Sequence, residues 1–333
     1  MSQDPLWITE AEVVQLLDLG EAIGALEKAL VEEARGEAMN MTKTLMQFGK
    51  SNLHAVGGKL GNIVGTKTWA HTEGGTCPLL LLWDASNGSL VAVIEAFALG
   101  NMRTGGISGV AASWMAKPDA RVMGLVGTGK QALSQVGTML AVRPIERVQI
   151  FSPTADKRAA FVAKVREEFG IEVVDCASAE TACKGAQIVT LVTRATQPFL
   201  TSAMLEPGTH LNAVGAIAPD REEFTQDMFA RVTAVAVDNI GGVQALSREF
   251  MTYYGKAGWE AVQPLSKLIA AGRRRTDKDD VSVFKAMGMG ISDLALGVEL
   301  AKRARERSMG RAIPQPKKVK PRLVSGKKVK SAA

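Results

Sequence analysis

Cysteine and histidine are both scarce in this sequence, with three of each in 333 residues. Cys77, Cys176 and Cys183 are odd in number and lack metal-ligand spacing, so reduced core thiols are expected rather than disulfides or zinc ligands. His54, His71 and His210 are scattered, which leaves no HExxH-type pair, and no bound metal is expected. Long hydrophobic runs are also missing: the longest, such as Pro78 to Trp83, are far too short to cross a bilayer. Met1 to Trp7 carry neither the basic nor the apolar region of a signal peptide, so a cytoplasmic location is expected.

What is present can build a sizeable core, since 46% of the residues are hydrophobic and the length suggests about two domains. The net charge of +6 is concentrated in one place: Pro314 to Lys330 carries seven basic residues and no acid, which leaves the rest of the chain close to neutral. A Pro-rich, Lys-rich end with almost no apolar content cannot bury enough surface to order itself. Residues 315–333 are therefore read as a disordered basic tail, with no specific nucleic-acid or membrane partner.

From Trp7 to Glu37 the apolar residues recur with helical spacing, Val13, Leu16 and Leu17 and then Ile23, Leu26 and Leu30, with Thr9 as N-cap and a second helix starting after Asp18. Between Thr44 and Ala96 the texture changes to short β-rich pieces divided by Gly and Asn. A hairpin turn at Asp84 to Gly88 completes the pattern of an antiparallel sheet. A helix follows from about Ala98 to Met115. After Pro118, near-continuous apolar strands alternate with helices, which predicts a parallel sheet covered on both faces. The stretch VFKAMGMGISDLALGVELAKRARER reads as a last helix.

Two segments carry chemistry. In RVMGLVGTGKQA, Gly127, Gly129 and Ala132 make GxGxxA between a strand and a helix. The first Gly makes the tight turn, the second admits a pyrophosphate to the backbone, and the small third residue lets helix and strand pack. An acidic residue at the end of the next strand would bind the ribose hydroxyls of NAD, but Ser152 stands there, with Thr154, Lys157 and Arg158 following. Hydroxyls and cations suit a 2′-phosphate, so NADP(H) is favoured over NAD(H). The second segment is GTKTWAHTEGG, Gly65 to Gly75, where Lys67 sits in an apolar strand with His71 and Glu73 close behind it.

With IVGTKTWA, ALGNMRTGGISGVAASWMA, VGTGKQA, HLNAVGA and VFKAMGMGISDLALG in this order, the chain from about Trp7 to Pro314 resembles the ornithine cyclodeaminase/μ-crystallin family. The resemblance implies an α/β fold in which a Rossmann-type parallel-sheet domain, 118–289, is inserted in a discontinuous α+β substrate-binding and dimerisation domain, 1–117 and 290–314. It also implies a homodimer and chemistry on a small amino or imino acid beside a nicotinamide. Carried over, Lys67 and Arg103 bind the substrate carboxylate, with Lys67 also near the reacting nitrogen, and Lys43 stands where the family has an arginine. Lys130 and Gln131, with Thr128 in the same loop, lie at the pyrophosphate, and Thr193 with the Asn212 to Gly215 backbone, including Val214, lies along the cofactor.

The sequence departs from the family's ornithine cyclodeaminases at Ile217, where they have an aspartate that acts in ring closure and ammonia loss. An aliphatic side chain cannot move a proton. Simple hydride transfer is therefore expected, as in the imine reductases and amino acid dehydrogenases of the family, with His71 or Glu73 as the replacement acid/base and Arg221 at a second acidic group of the substrate. The alternatives are a cyclodeaminase with tightly bound NAD and a non-catalytic binder of NADPH or small ligands.

Overall fold

The computed structural model describes residues 4–323. Thr9 and Asp18 cap the first two helices, Glu10–Leu16 and Leu19–Ala34, and each cap is closed by a glutamate three residues on, Glu12 and Glu21. The short β-rich pieces form strands β1 (Leu6–Ile8), β2 (Ala38–Asn40), β3 (Thr44–Phe48), β4 (Ser51–Leu60), β5 (Ile63–Thr72), β6 (Gly75–Thr76), β7 (Leu79–Asp84) and β8 (Leu90–Glu95). They pair antiparallel, apart from β1 on β8, which is parallel. The turn between β7 and β8 closes with Gly88 N–H donating to the Asp84 carbonyl at 2.8 Å.

The helix Phe97–Met115 leads into the second sheet, formed by β9 (Val122–Val126), β10 (Arg147–Phe151), β11 (Glu172–Asp175), β12 (Ile188–Leu191), β13 (His210–Ala213), β14 (Val232–Val237), β15 (Gln263–Pro264) and β16 (Val281–Lys285). Its order is β11-β10-β9-β12-β13-β16-β14-β15, and every ladder is parallel. The chain then returns to the first sheet, where β17 (Arg311–Ala312) pairs with β1. The parallel α/β sheet expected from the sequence is therefore present, together with the antiparallel sheet that precedes it.

One expected element is corrected. The stretch beginning at Val283 is not one helix: its first residues lie in β16, which is wholly buried, and the helix starts only at Gly290. A short β-branched run buried on both faces has no periodicity that separates it from a buried helix. The helix Gly290–Glu306 then crosses the first sheet, and Ile291, Leu294, Leu296 and Leu300 join Leu26, Leu30, Leu80 and Leu82 in one core. A side chain at Gly290 is impossible there, because its Cβ would stand 1.9 Å from the Gly57 carbonyl oxygen.

The basic tail expected at 315–333 falls mostly outside the described residues. Its first residue, Gln315, is pinned to β8 by two hydrogen bonds with Leu90, at 2.6 and 3.2 Å. Among the described residues no helix is long and apolar enough to cross a membrane.

Candidate functional site

The carboxyl ends of the parallel strands and one face of the antiparallel sheet enclose a cavity of about 950 Å³. The glycine loop forms its floor. Gly127 has φ +109°, and a Cβ there would lie 2.7 Å from the Val192 carbonyl oxygen, so only glycine makes this turn. A Cβ at Gly129 would meet no protein atom within 4 Å, and the residue lines the cavity, so the space it leaves open belongs to the cavity itself. Ala132 is buried at the start of the helix Ala132–Val142, whose N-terminus has no side-chain cap. A helix start without a side-chain cap, beside an open backbone, fits a pyrophosphate.

Thr128, Lys130, Gln131, Ser152, Lys157, Thr193 and Val214 all line this cavity. Three other residues expected at the cofactor do not. Thr154 is exposed beyond the wall. Arg158 is turned away into an ion pair with Asp175 and a 2.6 Å hydrogen bond to the Ser152 carbonyl. The Asn212 side chain is fully buried within β13, its Oδ1 accepting from His210 Nε2 at 3.2 Å. Being in a buried strand, it points away from the ligand space that its loop borders.

At the other end of the cavity Arg103 and Lys43 line the wall, and Lys67 lies buried behind it, reaching the cavity only through its partner Asp293, which is part of the lining. Strand alternation turns Gly65, Lys67, Trp69 and His71 to one face of β5, the face covered by the helix Gly290–Glu306. Lys67 is only 3% exposed and is paired with Asp293, which is fully buried in the first turn of that helix. Arg103 Nε stands 3.2 Å from the same Asp293 oxygen, close enough for an ion pair but not aligned for a hydrogen bond. Asp293 Oδ2 has no hydrogen-bond partner among the described residues. Burial pulls the Lys67 pKa down to about 8, the Arg103 and Lys43 charges add to the fall, and Asp293 opposes it. Lys43 lines the same end and stays open to the cavity, yet desolvation first and the Arg103 charge second hold its pKa below that of an ordinary lysine.

His71 and Glu73 are not at this site. Both are exposed and neither lines the cavity; Glu73 is ion-paired at 3.5 Å with the equally exposed Lys50. Sequence proximity misleads here because β5 carries the chain outward, so two further steps along one face leave the cavity. Arg221 is likewise absent from the lining. Its guanidinium instead donates to the Arg194 carbonyl at 3.0 Å. Ile217 does line the cavity, as an apolar wall.

Sequence reasoning missed Asp293, Asp238 and Trp69. Asp293 was legible in principle: it is the only charge between Ala286 and Val298, and a carboxylate in such an apolar run needs a cationic partner. Asp238 lines the cavity while accepting the Met287 and Gly288 N–H groups, each at 2.8 Å; burial pushes its pKa up and those two bonds oppose the rise. Trp69 also lines it, with its ring centroid 5.3 Å from Lys67 Nζ and His54 stacked on it at 4.7 Å.

The sequence model of the Ornithine cyclodeaminase/mu-crystallin family matches residues 3–308. The chain belongs to this family. Among its relatives, the Delta(1)-pyrroline-2-carboxylate reductase of Bacillus cereus (strain ZK / E33L) is 28% identical over 326 residues, covering 92% of this chain and 99% of that protein. Two solved structures superpose on this chain with TM-scores of 0.85. One is an archaeal alanine dehydrogenase dimer with bound NAD, 26% identical and covering 93% of this chain and 99% of that one. The other is the Thermococcus litoralis Delta(1)-pyrroline-2-carboxylate reductase in complex with NADH and L-proline, 23% identical and covering 92% of this chain and 100% of that one.

Proposed function

We propose that this protein is an NAD(P)H-dependent oxidoreductase that reduces a small imino acid, or oxidises the matching amino acid, at its carbon–nitrogen bond. The observation that carries the proposal is the Lys67–Asp293–Arg103 cluster at one end of a cavity whose floor is a dinucleotide-type glycine loop. A bound nicotinamide supplies or accepts the hydride. Arg103 offers a planar fork for the substrate carboxylate, with Lys43 as a second cation, which fixes the α-carbon. Lys67, with a pKa of about 8, can give a proton to nitrogen or take it back near neutral pH. Asp293 keeps Lys67 charged, and its unpartnered oxygen is an acceptor for an N–H of the substrate.

NADP(H) is favoured over NAD(H). The carboxylates lining the cavity are Asp238 and Asp293, and neither belongs to the Ser152 end, where Lys157 supplies a cation instead. The division into a Rossmann domain, 118–289, within a second domain, 1–117 and 290–314, is part of the same reading and is supported by the two separate sheets. So is a homodimer: Met39, Met41, Leu45, Met46, Phe48 and Leu53 are exposed on and beside β2, β3 and β4. A cytoplasmic location completes it.

The test is direct. Purified protein is mixed with NADPH or NADH, ammonium or methylamine, and a panel of 2-oxo acids and cyclic imino acids, and absorbance is followed. Oxidation of the reduced nucleotide that depends on one imino acid supports the proposal. Ammonia release from ornithine without added cofactor would overturn it in favour of cyclodeamination.

A further inference from the structure

Glu223 is fully buried, is no part of the cavity wall, and has no role in the chemistry above. Its carboxylate nevertheless accepts four hydrogen bonds from two loops that do line the cavity. Oε1 takes the Thr193 N–H and hydroxyl, both at 2.8 Å, and Oε2 takes the Gly215 and Ala216 N–H groups, both at 3.0 Å. The three backbone N–H groups can only donate, so the Glu223 carboxyl accepts from both loops.

The acid is itself held. The Glu223 N–H donates to Glu249 Oε1 at 3.0 Å, and Glu249 Oε2 takes the Ser247 hydroxyl at 3.0 Å. Lys285 stands 3.8 Å from Glu249 and donates to the Ala216 carbonyl at 2.6 Å. Burial pushes the Glu223 pKa up, while the Lys285 charge and the hydrogen bonds oppose the rise. A carboxylate this deep is costly unless it is fully satisfied, so its presence at this point calls for a reason other than packing.

The strand order supplies that reason. Reading across the sheet, Ser152 follows β10, the glycine loop follows β9, Thr193 follows β12 and Gly215 follows β13. On the proposed reading the adenosine ribose lies at Ser152 and the pyrophosphate at the glycine loop, so the loops that Glu223 ties together border the nicotinamide half. We propose that Glu223 is a positioning residue, a buried clamp that fixes the Thr193 and Gly215–Ala216 backbones and thereby shapes the wall for the nicotinamide half of the dinucleotide. The assignment rests on the proposed dinucleotide site.

Glu223→Gln tests it. An amide nitrogen must then face one of the two donor pairs, so one loop is released while side-chain volume is kept. Affinities are measured by calorimetry for the reduced dinucleotide and for its fragment without nicotinamide, ADP-ribose or 2′-phospho-ADP-ribose. The expected result is about tenfold weaker dinucleotide binding, the equivalent of one ionic hydrogen bond, with fragment binding unchanged. Equal weakening of both ligands, or no change in either, overturns the clamp while leaving the dinucleotide site standing. Failure of the unmutated protein to bind any dinucleotide overturns both. Should E223Q be recovered unfolded, Thr193→Val removes a single donor and is read by the same pair of affinities.

Discussion

Lys67 and Asp293 are 226 residues apart in the chain and meet as a buried ion pair at the end of the cavity. A lysine in a strand between apolar neighbours is held in place by an aspartate in the first turn of a helix that arrives at the far end of the sequence. Together with Arg103 they form a charged group in which one carboxylate serves two cations.

Asp293→Asn should shift the pH profile. Asp293 opposes the fall of the Lys67 pKa, so without its charge the value drops below about 8. For imine reduction, which needs protonated Lys67, the descending limb of kcat/KM moves to lower pH. At neutral pH the rate should fall by about 10 to 100-fold. A limb that stays in place would remove Lys67 as the proton donor.

Lys67→Met should reveal the cost of burying the ammonium. With a folded pKa of about 8 against an ordinary 10.5, the unfolded chain binds more protons between those values, so Lys67 makes stability rise with pH in that window. The unfolding free energy of K67M minus that of the unmutated protein should therefore fall by roughly 3 kcal/mol from pH 8 to 10.5. Urea denaturation at both ends of the window measures it.

Ser152→Asp should reverse the cofactor preference. A carboxylate at the end of β10 repels a 2′-phosphate and can bind ribose hydroxyls, so the ratio of kcat/KM for NADPH to that for NADH should fall by about 10 to 100-fold. An unchanged ratio would mean that this loop does not read the ribose.

His71→Ala and Glu73→Gln should leave turnover within about twofold of the unmutated protein, because exposed substitutions away from a site do little. This reverses what their nearness to Lys67 suggests in the sequence. A large loss in either variant would mean that the exposed end of β5 returns to the reaction in some other form of the protein.

Met46→Glu with Phe48→Glu should yield monomers by light scattering. Strand β3 is exposed on both faces, and charges there cannot be buried against a second copy.

The sequence determined what is local. The glycine loop, the capped helices, the alternation of strands and helices and the placing of Lys67 on a strand all depend on spacing over a few residues, where backbone geometry and side-chain periodicity act directly. The identity of Ser152 at the end of β10 was likewise readable by counting from the glycine loop. The tertiary structure alone decided which distant groups meet. It turned Asn212, Arg158 and Arg221 away from the cavity, carried His71 and Glu73 past its edge, ended a strand where a helix was expected, and brought Asp293 to Lys67. It also set Glu223 beneath Thr193 and Gly215, although Asp220 and Glu222 stand beside it in the chain. Neighbours in sequence point in different directions once a loop turns, whereas a buried charge is satisfied by whatever the packing of separate elements delivers to it.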